Sequence, residues 1–190
     1  MSRSRLEAFS DGVIAILITI MVLELKVPHG ADWDALRPIL PVFLTYVLSF
    51  VYLGIYWNNH HHMFQAVDRV NGTVLWANQH LLFWLSLIPF ATGWMGENHG
   101  PFPTALYGAV LLLAAIAYII LQNTIVAYQG AGSTLAAALG DDVKGKLSLA
   151  AYATAIPLAF VNQWISDALY VLVALMWIVP DRRIESRVGR

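Results

Sequence analysis

From Phe9 to Leu23 the chain reads FSDGVIAILITIMVL, and within that run only Ser10, Asp11 and Thr19 carry strongly polar side chains. Ser4 and Glu7, three residues apart just upstream, have the spacing of a capping box and predict a helix that starts there and continues to Val27. A helix this apolar belongs in a bilayer, where an acid is costly unless it is paired. Stepping about 100° per residue from Ile16, the residues Gly12, Val13, Ile16, Ile20, Leu23 and Val27 fall within roughly 60° of one line, whereas Asp11 lies about 140° away. One face is bare and apolar, and the polar cluster points elsewhere.

The rest of the chain follows the same rule. Of 190 residues, 58% are hydrophobic and 12% charged, and the apolar residues are gathered into long runs. A span needs about 20 mostly apolar residues, and six candidates result: Phe9 to Val27, Ile39 to Asn59, Val74 to Met95, Ala105 to Tyr128, Leu147 to Val161 and Trp164 to Val179. The fifth and sixth are short, and Pro157 interrupts the fifth, so a re-entrant hairpin is the alternative there. With six spans, Arg3, Arg5, Arg69, Lys144, Lys146, Arg182, Arg183, Arg187 and Arg190 share one side and only Lys26 and Arg37 the other, which predicts both termini in the cytoplasm of a cell whose inner membrane holds the protein. Trp33, Trp57, Trp76, Trp94, Trp164 and Trp177 sit near span ends, as an interfacial belt requires. The first helix is too long for a signal-peptide core and lacks a small-residue cleavage pattern, so it is expected in the mature protein. The expected fold is all-α: one polytopic domain over 1–190 with six transmembrane helices.

Arg5, Phe9, Ser10 and Asp11 spell R-x-x-x-F-S-D at the start of the first apolar helix. This resembles the signature of the transmembrane protein 175 family, the endolysosomal potassium channels and their bacterial homologues. The likeness extends to Trp57 with the histidines after it, and to Leu75, Trp76, Asn78, Pro89 and Phe90. It implies a passive potassium channel whose subunits, as a homotetramer, surround a central pore lined by the first helix. It also implies that Ile16, Ile20 and Leu23 form the apolar constriction. A ring of branched side chains closes a pore by dewetting, because an ion stripped of water finds no replacement ligand. No T-V-G-Y-G filter is present, so selectivity for K+ over Na+ is expected to be modest.

Without the resemblance, a stripe such as Ile16, Ile20 and Leu23 is more often lipid-facing or packed core than a pore wall. Thr19, one turn from Ile16, either presents its hydroxyl beside the ring or bonds back to its own helix. Glu24 would form an acidic ring at the outer mouth of a fourfold assembly, or is a plain interfacial charge. Asp11 is expected to be a packing pin, held by Arg5, Ser10 or a polar group of another helix. His61 or His62, with Asn78, His80 and Asp11, would stitch the first three spans together, as the family uses its polar signature. The adjacent His60, His61 and His62 point about 100° apart and cannot share a tetrahedral metal.

Several classes fall away. The chain has no cysteine, and no nucleotide, zinc-protease, hydrolase or EF-hand motif, which argues against an enzyme. No basic stripe with interleaved aromatics marks a nucleic-acid surface. The expected partners are lipid, K+ and other monovalent cations, and three further copies of the chain; no cofactor is expected. Two other readings stay open: a proton-coupled carrier using Asp11, and a redox or assembly factor using His61 and His80 as haem ligands.

Overall fold

The structure, a computed structural model, describes residues 2–67, 69–130, 132–139 and 142–178. Among these residues all regular structure is helical. In chain order the α-helices are α1 (Arg3–Leu23), α2 (Trp33–Leu36), α3 (Leu40–Gln65), α4 (Gly72–Ser86), α5 (Ile88–Glu97), α6 (Pro101–Gln129), α7 (Thr134–Leu139), α8 (Val143–Leu158) and α9 (Gln163–Ile178). Four stretches are long and apolar enough to cross a membrane: Arg3–Leu23, Trp33–Gln65, Gly72–Glu97 and Pro101–Gln129. Gln163–Ile178 is apolar but shorter. The chain is thus a multi-pass helical membrane protein.

The packing centre is α6, which touches α4, α5, α8 and α9. Its inward side mixes large side chains such as Tyr107, Leu111 and Leu121 with Gly108, Ala114 and Ala117, which let neighbouring backbones come close. At Gly108 an added Cβ would overlap the Tyr170 hydroxyl, which donates to the Thr104 carbonyl at 3.0 Å. By contrast α1 packs on one side only, against α3, α4 and α5.

Several boundaries differ from expectation. The first helix starts at Arg3, and Ser2 caps it without a side-chain bond, so no capping box forms; Glu7 instead pairs with Arg3 at 3.2 Å. The helix stops at Leu23 rather than Val27. Pro28 pushes its predecessor out of the α region, and Glu24 and Lys26 are drawn to water. The second span runs on to Gln65, because His60, Met63 and Phe64 continue the buried face of α3. The third is two helices meeting at Leu87, with Pro89 in the first turn of α5 removing one backbone donor. Pro157 lies in the last turn of α8, where it ends the helix. α8 and α9 have 16 residues each and fold back on one another through a short turn. Arg182, Arg183, Arg187 and Arg190 lie outside the described residues, as does Val179 at the end of the sixth expected span.

Candidate pore helix and its anchoring network

The two sides of α1 have opposite characters. Leu6, Ser10, Ile14, Leu17 and Met21 are buried at i, i+4, i+8, i+11 and i+15, a continuous helical stripe. Opposite them, Ile16 is 57% exposed, Ile20 40% and Leu23 80%. Thr19 is exposed between them, but its hydroxyl donates to the Ile16 carbonyl at 2.9 Å and is tied to its own helix. Phe9 is also exposed, toward the start of the helix.

The buried stripe carries one polar link. Ser10 donates to the Leu6 carbonyl at 2.9 Å and accepts from the Asn78 amide nitrogen at 3.0 Å. The amide oxygen of Asn78 accepts from His60 Nε2 at 2.8 Å, which requires the tautomer protonated on that nitrogen. All three side chains are almost completely enclosed, and the His60 ring rests on Phe64 at 4.6 Å. One amide thus joins α1, α3 and α4, with both of its ends satisfied.

Asp11 lies just outside this link. Its Oδ1 accepts from the indole N–H of Trp57 at 2.9 Å, and the Trp57 ring stacks on His61 at 5.9 Å and 14°. Arg3 adds a third tie at this end of the bundle, donating to the carbonyls of Gln65 and Val67.

Parts of the expected network are assembled differently. Arg5 is exposed and makes no contact with Asp11: six residues along a helix place two side chains about 120° apart. His61 bonds to Gln65 on its own helix at 2.8 Å, and His62 lies against His61 with ring centres 5.7 Å apart. Of three consecutive histidines only one can face α4, and it is His60. His80 follows Asn78 by two residues, about 200° around the helix, and accepts from Trp84 at 2.9 Å. Sequence reasoning missed His60 and the Trp57 donor. The first was available by extending the phase of Tyr52, Tyr56 and their neighbours one turn; the second depends on how α1 crosses α3.

At the other end of α1, Glu24 is exposed and Lys26 pairs with Glu97 at 2.9 Å. That bond, and then the charge of Glu97, raises the pKa of Lys26 above its ordinary value. Ile20, Glu24, Phe90, Trp94 and Glu97 border an open groove of about 600 Å³ between α1 and α5. Among the described residues no group of three or more histidine or acidic side chains is placed to hold a metal ion.

The membrane-embedded helix α1 is thus pinned along one stripe by buried polar bonds and leaves bare branched side chains along the other. The comparisons agree on the kind of protein. Residues 5–89 match the family described as the endosomal/lysosomal potassium channel TMEM175. A protein of Chryseobacterium sp. named as a potassium channel is 55% identical over 187 residues, 98% of this chain and 97% of that one. A potassium channel of Streptomyces collinus is 37% identical over 60% of each chain. The crystal structure of a lysosomal potassium-selective channel TMEM175 homologue from Chamaesiphon minutus superposes with a TM-score of 0.78 at 26% identity, covering 93% of this chain and 96% of that one. The chain belongs to the TMEM175 family.

Proposed function

We propose that this protein is a passive potassium channel, with modest preference for K+ over Na+, assembled as a homotetramer around α1. The observation that carries the reading is the exposed row Ile16, Ile20, Leu23 on a helix whose other side is locked to its own subunit. One subunit offers one narrow apolar stripe and cannot enclose a pore. Closed fourfold symmetry supplies the remaining walls and covers the row. The ring closes the path by dewetting, and conduction requires it to widen enough for a hydrated or partly hydrated cation. Glu24, at the end of each α1, concentrates cations at the mouth.

Six spans, with α8 and α9 as the last two, put the N-terminus, the α3–α4 connection and the start of α8 on one side of the inner membrane. Arg3, Arg5, Arg69, Lys144 and Lys146 then lie in the cytoplasm and Lys26 and Arg37 outside. The relatives named as potassium channels support the choice of ion.

The test is flux from vesicles holding the purified protein, comparing K+, Na+ and H+. Potassium flux that exceeds sodium flux a few-fold and needs no proton gradient is expected. Flux strictly coupled to protons would replace the channel with a carrier acting through Asp11. Cross-linking should give tetramers; a stable, conducting monomer would sink the assembly.

A further inference from the structure

Away from α1, a cavity of about 50 Å³, room for three or four waters, lies among α3, α6 and α8 and the end of α9. Tyr52, Tyr56, Tyr118, Tyr152 and Trp177 give it an aromatic wall. Tyr56 and Tyr118 meet edge to face at 6.1 Å, as do Tyr52 and Tyr152 at 6.2 Å. Two of the hydroxyls are engaged: Tyr52 donates to the Tyr170 carbonyl at 2.6 Å and Tyr118 to the Asn59 carbonyl at 3.1 Å. The Trp177 indole N–H donates to Ser148 at 2.8 Å. These side chains are left with ring surface to offer an occupant.

A carboxylate completes the wall. Asp142 caps α8, its Oδ1 accepting from the Gly145 amide at 3.0 Å, and its second oxygen has no hydrogen bond among the described residues. The Lys144 ammonium stands 5.6 Å from the centre of the Trp177 ring. One ammonium therefore already lies against this aromatic surface.

We propose that the cavity binds an alkylated ammonium headgroup of the choline type. Aromatic faces attract cations through their quadrupole, most strongly where water is excluded, and the nearby carboxylate adds a formal charge. An alkylammonium suits such a wall better than K+ does. It is weakly hydrated and brings hydrocarbon of its own, whereas K+ requires a shell of oxygens that rings and one acid do not supply. The cavity belongs to one subunit and lies apart from α1, so the site is independent of ion passage. The ligand is either dissolved or the headgroup of a lipid entering from the side.

The test is calorimetric titration of the full-length protein in nanodiscs of phosphatidylglycerol alone. Choline should bind, and its uncharged tert-butyl analogue should bind at least roughly tenfold more weakly, because only the cation gains the ring and carboxylate attraction. Asp142→Asn keeps a good N-cap, so α8 should persist while choline affinity falls by about tenfold. Lys144→Gln removes a competing ammonium and should tighten binding. The same titration in phosphatidylcholine nanodiscs separates the sources: loss of choline binding there identifies the lipid headgroup as occupant, and unchanged binding identifies the dissolved ion. Equal binding of choline and its neutral analogue, no choline binding in phosphatidylglycerol, or an Asp142→Asn protein that binds as tightly as the parent would overturn the proposal.

Discussion

Asn78 donates its amide N–H to Ser10 across 3.0 Å, and this bond from α4 fixes which way α1 is turned. A rotation of α1 that broke it would leave the enclosed Asn78 N–H without an acceptor and would turn Ile16, Ile20 and Leu23 together away from the direction they now face. The direction of the exposed row is thus set by a hydrogen bond on the far side of the helix.

Replacing Asn78 by Leu keeps the branched shape but strands the enclosed His60 N–H, while Ser10 keeps its bond to the Leu6 carbonyl. An orphaned buried group costs about 1 to 3 kcal/mol, and a loss of that size is expected. Thermal unfolding in detergent should move down by many degrees, and tetramer yield should fall with it. Ser10→Ala, which removes both bonds of that hydroxyl and leaves Asn78 only His60, should cost about 1 to 2 kcal/mol. An Asn78→Leu protein as stable as the parent would mean the link does not hold the helix.

Asp11 and Trp57 can be tested as a pair. Asp11→Ala removes the acceptor and Trp57→Phe removes the indole donor, so a double-mutant cycle isolates their bond. A coupling of about 1 kcal/mol is expected for a half-exposed, charge-assisted contact. Arg5→Gln should leave the coupling unchanged. If the coupling followed Arg5 instead, the indole would be incidental.

The constriction is probed by contrast across α1. In the proposed tetramer Ile16→Asn would place four amides where the constriction has hydrocarbon, so resting flux should rise and discrimination between K+ and Na+ should fall. Leu17→Asn buries an amide inside the subunit and should reduce stability with no gain in flux. Equal gains from the two, measured in the same vesicles, would put the path on another face.

Lys26 is fully exposed beside Glu24 and Glu97, so its effect should be on ions rather than on folding. Lys26→Met removes a positive charge from the mouth and should raise cation conductance at low salt, the gain fading above about 0.1 M as screening takes over. Its raised pKa means that the Lys26–Glu97 attraction is complete at neutral pH and is lost only as pH rises through the alkaline range above 10.5. Recordings at pH 6 and pH 8 should show the same Lys26→Met gain; a gain that differs between them would assign the effect to another titrating group.

Long features were legible in the sequence because they repeat. The apolar runs that became α1, α3 and α6, and the i, i+4, i+7 row on α1, depend only on the helical period. Ser10 and Asn78 could be named from the family likeness. What failed turned on a single residue of phase or on tertiary geometry. His60, His61 and His62 are chemically equal, and only the crossing of α3 with α4 selects the first. Arg5 and Asp11 carry opposite charges at short separation, yet the helix turns them apart. The tyrosine-walled cavity gathers residues from four helices, so no local pattern announces it.

The shortness of α8 has a consequence for the surrounding lipid. At about 1.5 Å per residue, its sixteen residues reach roughly 24 Å, less than a hydrocarbon layer of about 30 Å. It packs on α6 and α9, and in the proposed six-span assembly around α1 it stands at the perimeter. In that assembly the two leaflets thin toward it, and lipids with shorter tails fill the dimple at lower cost. Two such perimeters side by side share one dimple instead of maintaining two. Channels in a thick membrane should therefore gather into patches, drawn together by the bilayer itself.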